Sequence, residues 1–302
     1  MIGKLSDSLI ENKYNEFREE ISLLFDYLNQ INDTTKKNIK RLLKEVEYAQ
    51  NPDTIININE TIKIKCGTTL ARHLCSNPYT GSTLEIGNSA IDLEEKIRLC
   101  NTLKNKQYQW VITEAYELLE DYIEAIYVYT VCVRNDLWSS SDFGKVEDDE
   151  IGKREVYYRL LKAKSNPSKK ITKIFRNKIP GFKEIETNNK MGKNYRFNIK
   201  LIELLRHTIV HNSGRFNDTE KFINKVLDES EINGKKRVIG ERAVRSYITK
   251  VQEDDIVMLL ERPSEILGSF GGYFNRAKFL LSDILEYSLI IKEELKSYLG
   301  NH

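Results

Sequence analysis

The segment from about Lys106 to Arg134 constrains the fold of this chain more than any other. Its apolar side chains recur three or four positions apart, which is the period of one face of an α-helix. This face carries Val111, Ala115, Leu118, Tyr122, Ile126 and Tyr129. The second half of the segment is apolar on nearly all sides, and a helix of that kind has to be buried by other elements. We therefore expect a helical bundle packed around this segment.

The same helical period recurs along most of the 302 residues, and only five prolines interrupt it. Further helices are predicted at about 14–28, 39–46, 92–103, 150–164, 167–178, 198–211, 218–228 and 264–298. Alternating isoleucines across 56–64 predict a short β-hairpin, whereas 66–88 is rich in Gly, Ser, Thr and Pro and is predicted to be mostly loop. The predicted fold class is therefore mainly α, a helical bundle with a helical N-terminal region and minor β-hairpin elements.

Positive charge is concentrated in the middle of the chain. The stretch from Glu150 to Lys200 contains 15 Lys and Arg against 4 acidic residues, an excess of 11 positive charges. Since the whole chain has a net charge of +2, the remainder carries −9. This asymmetry is typical of a basic surface that binds a polyanion, although Lys-rich helices exposed to solvent give the same pattern. Charge alone leaves both interpretations open.

Other features of the sequence argue against several classes of protein. The four cysteines are Cys66, Cys75, Cys100 and Cys132. None of them forms a C-x-x-C pair, so a zinc or redox site is not expected. The first ten residues lack the apolar run of a signal peptide, and the most apolar stretch, 123–133, is about half as long as a membrane span. We therefore expect a cytoplasmic protein with reduced thiols, without membrane attachment and without a cofactor.

Two of the four histidines lie on one helix, predicted at 198–211. On a helical wheel its core-facing arc carries Leu201, Ile202, Leu205 and Ile209. Its polar arc carries Glu203, Arg206, His207 and His211. The exception is Val210, an apolar side chain inside the polar arc, which is typical of a contact with another helix rather than of a fully solvated face.

The segment 206–212 reads Arg-His-Thr-Ile-Val-His-Asn and is followed by Ser-Gly. It resembles the motif of HEPN-domain proteins, in which Arg is followed by four to six residues and then His. The resemblance covers roughly residues 105–300. The helices predicted near 106–134 and 264–298 would match the first and last core helices of that family.

The resemblance implies two regions and a chemistry. A HEPN-like helical domain would occupy 105–302, and the helical region 1–104, which contains the β-hairpin, would be of unknown function. Catalytic members of the family are metal-independent endoribonucleases that act as homodimers. In them the 2′-hydroxyl of RNA attacks the adjacent phosphate. The matching residues here would be Arg206 and His211.

The chemical reasons for these residue types are general. A histidine titrates near neutral pH and can serve as base or acid, and a guanidinium stabilises the negative charge that develops on a phosphate. His207, Asn212 and Glu203 are predicted to support Arg206 and His211 in these roles.

The predicted partners follow from the same interpretation. RNA would lie on the basic stretch, where the candidate contacts are Lys169, Lys170, Lys173 and Arg176. A second copy of the chain would complete the site, and an antitoxin or regulatory partner fits the role of many such enzymes as bacterial toxins or antiviral effectors.

Two other functions remain open at this point. Glu203, His207 and His211 are spaced like metal ligands, but Thr208 stands where a zinc-protease motif requires Glu, so no metal is expected. Alternatively, the domain is a non-catalytic HEPN-like module that binds RNA or a nucleotide, or serves as a dimerisation scaffold.

Overall fold

A computed structural model describes residues 2–49, 56–59, 62–64, 67–263 and 273–300. Within these residues the fold is mainly helical, as the sequence predicts, with small antiparallel two-stranded sheets. The helices are α1 (Ile2–Ala49), α2 (Leu93–Val133), α3 (Ser140–Phe143), α4 (Arg154–Lys162), α5 (Pro167–Lys178), α6 (Pro180–Ile185), α7 (Tyr195–Asn212), α8 (Thr219–Glu229), α9 (Lys235–Arg245) and α10 (Arg276–Gly300). The strands are β1 (Ile56–Asn59), β2 (Ile62–Ile64), β3 (Thr69–Ser76), β4 (Thr83–Ile91), β5 (Ile248–Val251), β6 (Asp254–Val257), β7 (Arg262–Pro263) and β8 (Tyr273–Phe274). No helix in these ranges combines the length and the hydropathy needed to cross a bilayer.

The chain divides into two compact units. Unit 1 comprises Met1–Leu28 with Tyr108–His302, and unit 2 comprises Asn29–Gln107. The predicted boundary after residue 104 lies three residues from the observed one, but the first 28 residues belong to the larger unit instead of a separate N-terminal region. Aromatic packing explains this difference, because the ring of Phe17 stacks on that of Tyr122 in α2 with centroids 4.9 Å apart.

In two places, a pair of separately predicted helices forms one continuous helix. The predicted helices 14–28 and 39–46 both belong to α1, and 92–103 and 106–134 both belong to α2. α1 continues through 29–38, a polar stretch that contains neither Pro nor Gly and therefore gives the helix no reason to stop. α2 likewise continues through Lys104 and Asn105, which are buried although they are polar. The ammonium of Lys104 donates a hydrogen bond to Asn32 Oδ1 at 2.8 Å, so its burial is compensated.

The hairpin predicted at 56–64 is present as β1 and β2. The loop prediction for 66–88 is wrong, because β3 and β4 pair in antiparallel register from Thr69 opposite Ile91 to Ser76 opposite Thr83. Nearly all described side chains of this second hairpin are exposed. Turn-forming residues dominate the segment, and the apolar–polar alternation at Leu84, Glu85 and Ile86 is too short to outweigh them.

The C-terminal helix is shorter than predicted. The expected helix at 264–298 corresponds to α10, which begins at Arg276 and is preceded by β8. The predicted segment 264–272 lies outside the described residues. α10 packs against α6 and α7, and together with α2 it provides much of the buried surface of unit 1.

The start and end of α7 are fixed by local interactions. Asn194 caps the N-terminus by accepting a hydrogen bond from the backbone N–H of Phe197 at 3.0 Å. At the other end Ser213 and Gly214 adopt positive φ angles of 54° and 80°. A Cβ on Gly214 would lie 2.9 Å from Oε1 of Gln109, so both backbone conformation and space require glycine here. The carbonyl of Gly214 also accepts a bond from Val257 N–H at 2.8 Å, which ties the end of α7 to β6.

Candidate functional site

The polar arc of α7 is the surface that the motif residues occupy. Leu201, Ile202 and Leu205 are buried, as the helical wheel predicts. On the opposite arc both histidines of the motif are exposed, and Arg206 retains 27% of its side-chain exposure. Val210 is 47% exposed, so the apolar position inside the polar arc is open within the single chain.

Arg206 is oriented by an acidic residue from another helix. Its Nη2 donates a hydrogen bond to Oε1 of Glu117 on α2 at 2.8 Å. Its Nε is buried and makes no hydrogen bond within the described part of the chain. One edge of the guanidinium is thus held in place, while the group retains further donors for a phosphate.

The register of α2 against α7 follows from two contacts. Glu117 contacts Arg206, and Gln109 contacts Gly214. Gln109 is eight residues before Glu117 on α2, whereas Gly214 is eight residues after Arg206, just beyond the end of α7. The two helices therefore run antiparallel. Residues near 110–117 of α2 lie level with the motif.

The imidazoles of His207 and His211 are neighbours, with ring centroids 4.5 Å apart and planes at 49°. This is the arrangement that an i, i+4 spacing gives on one helical face. His211 is followed by Asn212, the last residue of α7, whose carbonyl accepts a bond from Arg215 N–H at 3.0 Å.

The electrostatic surroundings favour the neutral form of His207. Partial burial lowers the pKa of this imidazole below its ordinary value. Positive charge on His211, Lys225 and Arg206 lowers the pKa further, since a second cation nearby is unfavourable. The carboxylate of Glu203 acts in the opposite direction, but it does not reverse the shift.

Lys225 reaches this site from α8. Only residues 213–218 join α7 to α8, so the start of α8 lies near the end of α7. Glu229 Oε2, at the end of α8, lies 3.1 Å from the ammonium of Lys200 in the first half of α7, and the two helices are therefore antiparallel. Lys225 is one turn before Glu229 and lies 4.0 Å from its Oε1. One turn back along α8 corresponds to one turn forward along α7. Lys225 is therefore level with residue 204, less than one turn before His207, on whose pKa it acts.

The residues predicted to bind RNA do not form one open basic surface. Lys169 is paired with Glu229 at 3.0 Å. Arg176 makes two hydrogen bonds of 2.7 and 2.8 Å to Glu186, a fully buried carboxylate. Within the described residues Lys170 and Lys173 have no ion pair. Arg176 therefore has a structural partner, and its role as an RNA contact remains a prediction.

Glu203 is engaged within its own helix. It accepts a hydrogen bond from Lys200, which also pairs with Glu229. Alternating charges from α5, α7 and α8 thus neutralise one another beside the motif. Within the described residues, no group of three or more His, Cys, Asp or Glu side chains is arranged to hold a metal ion.

Sequence reasoning identified the α7 residues but missed Glu117 and Lys225. Each comes from a different helix, and the distance of 89 residues between Glu117 and Arg206 hides their contact from any local pattern. A weak signal exists on α2, where Trp110, Glu114 and Glu117 form an exposed stripe within the mostly buried stretch 108–119.

No protein-family model, no curated protein and no solved structure matches this chain. Function is therefore inferred from the geometry around α7 and from the resemblance of segment 206–212 to the HEPN motif.

Proposed function

We propose that this chain is a metal-independent endoribonuclease that acts as a homodimer. The observation that carries the proposal is the exposed pair of imidazoles on α7, one and five residues after an arginine whose guanidinium α2 orients. These are the two kinds of group that cleavage of RNA by its own 2′-hydroxyl requires. RNA supplies the nucleophile, so the protein has only to move protons and stabilise charge.

The chemical step assigns a role to each group. A neutral imidazole accepts the proton of the 2′-hydroxyl while the 2′-oxygen forms a bond to the adjacent phosphorus. The bond from phosphorus to the 5′-oxygen breaks, and a protonated imidazole donates a proton to that oxygen. Arg206 stabilises the negative charge on the phosphoryl oxygens with the donors that Glu117 leaves free. His211 is the principal proton-transfer group, and His207 and Asn212 position the phosphate.

The electrostatic environment supports proton acceptance at this surface. Burial and nearby cations lower the pKa of His207, which favours its neutral form. Lys225 is one of these cations. A phosphate bound beside His207 would in turn raise the pKa of this imidazole and favour its protonated form.

A non-catalytic scaffold is the second candidate, and the ion pair between Arg206 and Glu117 favours it specifically. In a scaffold this pair would serve only to join α7 to α2. Removal of either partner would then lower stability, and no chemical activity would be lost.

The decisive experiment is incubation of the purified chain with total RNA in excess EDTA. We expect cleavage by the wild-type protein and none by His211→Ala. Cleavage that disappears in EDTA and returns with a divalent metal ion would overturn the mechanism. Absence of any cleavage, with or without metal, would favour the scaffold.

A further inference from the structure

A small cleft opens between α2, α5 and α7 beside the motif. We call it the side cleft. Apolar walls are provided by Tyr116, Leu119, Ile123 and Ile199. Polar groups reach it from Glu120 on α2, Ser168 on α5 and Arg196 on α7. All of these residues belong to unit 1.

The size of the side cleft limits what it can hold. Its volume is about 180 Å³, whereas pockets that bind a separate small molecule usually measure about 300–1,000 Å³. A cleft of this size is suited to one flat group that belongs to a larger molecule. Apolar walls with a few polar groups fit a planar ring with hydrogen-bonding edges.

The side cleft is close to the proposed reaction site. Glu203 lines it and lies one helical turn before Arg206 on α7. Glu120 also lines the cleft, and it lies one turn after Glu117, the α2 residue that binds Arg206. One helical turn is about 5.4 Å, so a group in the cleft would be joined to a phosphate at Arg206 by a short linkage.

Charge in the side cleft is balanced, which argues against a phosphate as its occupant. Lys169 and Lys200 both line it, and both are paired with Glu229 at 3.0 and 3.1 Å. Arg176 is likewise neutralised by Glu186. No unpaired cluster of cations is therefore offered to an anion. A neutral ring fits this lining better.

The polar groups of the side cleft include an acceptor and a donor. Ser168 Oγ donates to Oε1 of Glu120 at 2.8 Å, and no other hydrogen bond to this carboxyl is formed within the described residues. Burial raises the pKa of Glu120, because desolvation disfavours the charged form of the carboxyl. Arg196 retains only 8% of its side-chain exposure, and its buried Nε–H has no acceptor within the described residues.

We propose that the side cleft binds the nucleobase adjoining the scissile phosphate and selects bases with an exocyclic amino group over uracil. The inference rests on the proposed ribonuclease function. Adenine, cytosine and guanine each offer an –NH₂ group to a carboxylate such as Glu120. Uracil presents carbonyl oxygens on both sides of its single ring N–H. Two of its edge positions would therefore repel the carboxylate.

The first arm of the test maps cleavage sites in a random-sequence RNA pool in EDTA. Wild type should disfavour uracil at one position next to the cut. Glu120→Gln replaces a carboxylate that only accepts with an amide that can also donate to a uracil carbonyl. The frequency of uracil at that position among cleaved sites should therefore rise roughly tenfold. The matched control is Glu114→Gln, an exposed carboxylate on the same helix outside the cleft, which should leave the preference unchanged. An unchanged preference in Glu120→Gln would overturn the inference.

The second arm does not depend on cleavage. Cytidine 3′-monophosphate and uridine 3′-monophosphate are titrated into wild type and variants by calorimetry. Wild type should bind the cytidine compound more tightly, and the difference should vanish in Glu120→Gln and in Ile199→Phe, which fills the cleft. A base preference without RNA cleavage would reject the proposed function but retain the base-binding cleft. Equal binding of both nucleotides by wild type would reject the cleft even if RNA is cleaved.

Discussion

Arg206 has an acidic partner that a phosphate would have to displace or share. The pair with Glu117 is partly exposed on both sides, with 27% and 48% of the side chains accessible. Exposed ion pairs contribute little to stability, commonly less than about 1 kcal/mol. The same contact therefore orients the guanidinium at small energetic cost, and a doubly charged transition state can compete for it.

Removal of either motif side chain should abolish most cleavage without unfolding the chain. His211→Ala and Arg206→Ala should each lower kcat by about 10²–10⁴, the usual contribution of one acid–base or charge-stabilising group. Their melting temperatures should stay close to that of wild type, because His211 is exposed and the ion pair of Arg206 with Glu117 is partly exposed. His73→Ala, an exposed histidine on β3, serves as the control. Near-wild-type cleavage by His211→Ala would refute the assignment.

Lys225 should tune the protonation of His207. Its ammonium disfavours a second positive charge, so Lys225→Ala should raise the pKa of His207. The imidazole would then deprotonate at a higher pH than in wild type. NMR titration of the histidine Cε1–H signals measures the midpoint directly. Lys236→Ala, an exposed lysine on α9, should leave it unchanged. A midpoint that stays fixed or falls in Lys225→Ala would contradict the placement of this residue.

Among the elements, α5 and α8 could be predicted from sequence to within one residue at each end, and α7 nearly as closely. Its apolar arc and its Ser-Gly termination are local patterns, and the observed bounds extend the prediction by three residues at the start and one at the end. The hairpin of β3 and β4 was missed because Gly, Ser, Thr and Pro dominate 66–88 and the alternation at Leu84, Glu85 and Ile86 is short. α6 was missed because it is a short helix of six residues after Pro180. The ion pair of Arg176 with Glu186 could not be predicted either, because it joins α5 to the residue that follows α6 and α6 was not foreseen.

The basic residues of α5 should differ in role, with Arg176 stabilising the fold and Lys170 and Lys173 binding RNA. Arg176→Ala leaves the buried carboxylate of Glu186 with fewer partners and should lower the free energy of unfolding by about 3 kcal/mol. Lys170→Ala and Lys173→Ala should not affect stability but should weaken RNA binding, each reducing the salt dependence by about one unit of slope. Urea unfolding and binding titrations at several salt concentrations test the two effects. Equal effects of all three changes on RNA affinity would contradict this division.

For the whole molecule, the central question is how one chain supplies both an acid and a base. The two imidazoles on a single α7 share one face and disfavour simultaneous protonation. A two-fold axis beside α7 would bring a second pair to the same phosphate. Val210, exposed within the polar arc, gives such a contact an apolar centre. The sequence predicted this surface but could not locate Glu117 or Lys225, which border it from other helices.

The assembly can be tested with mixed subunits. Sedimentation should show a dimer, and each of the single variants His211→Ala and Arg206→Ala should be inactive alone. Hybrid dimers of the two retain one intact arginine and one intact histidine per composite site and should regain part of the activity. An active protein that remains strictly monomeric under assay conditions would rule out the composite site.

The most direct test of the ribonuclease mechanism is the chemistry of the product ends. A defined RNA oligonucleotide cleaved in EDTA should yield a 2′,3′-cyclic phosphate on one fragment and a 5′-hydroxyl on the other, as mass spectrometry can determine. The same oligonucleotide with a single 2′-deoxy substitution at the scissile position should remain intact, because the nucleophile is missing. Fragments with a 5′-phosphate and a 3′-hydroxyl, or cleavage of the 2′-deoxy substrate, would contradict the proposed mechanism. In that mechanism the 2′-hydroxyl attacks the adjacent phosphate and His211 transfers protons.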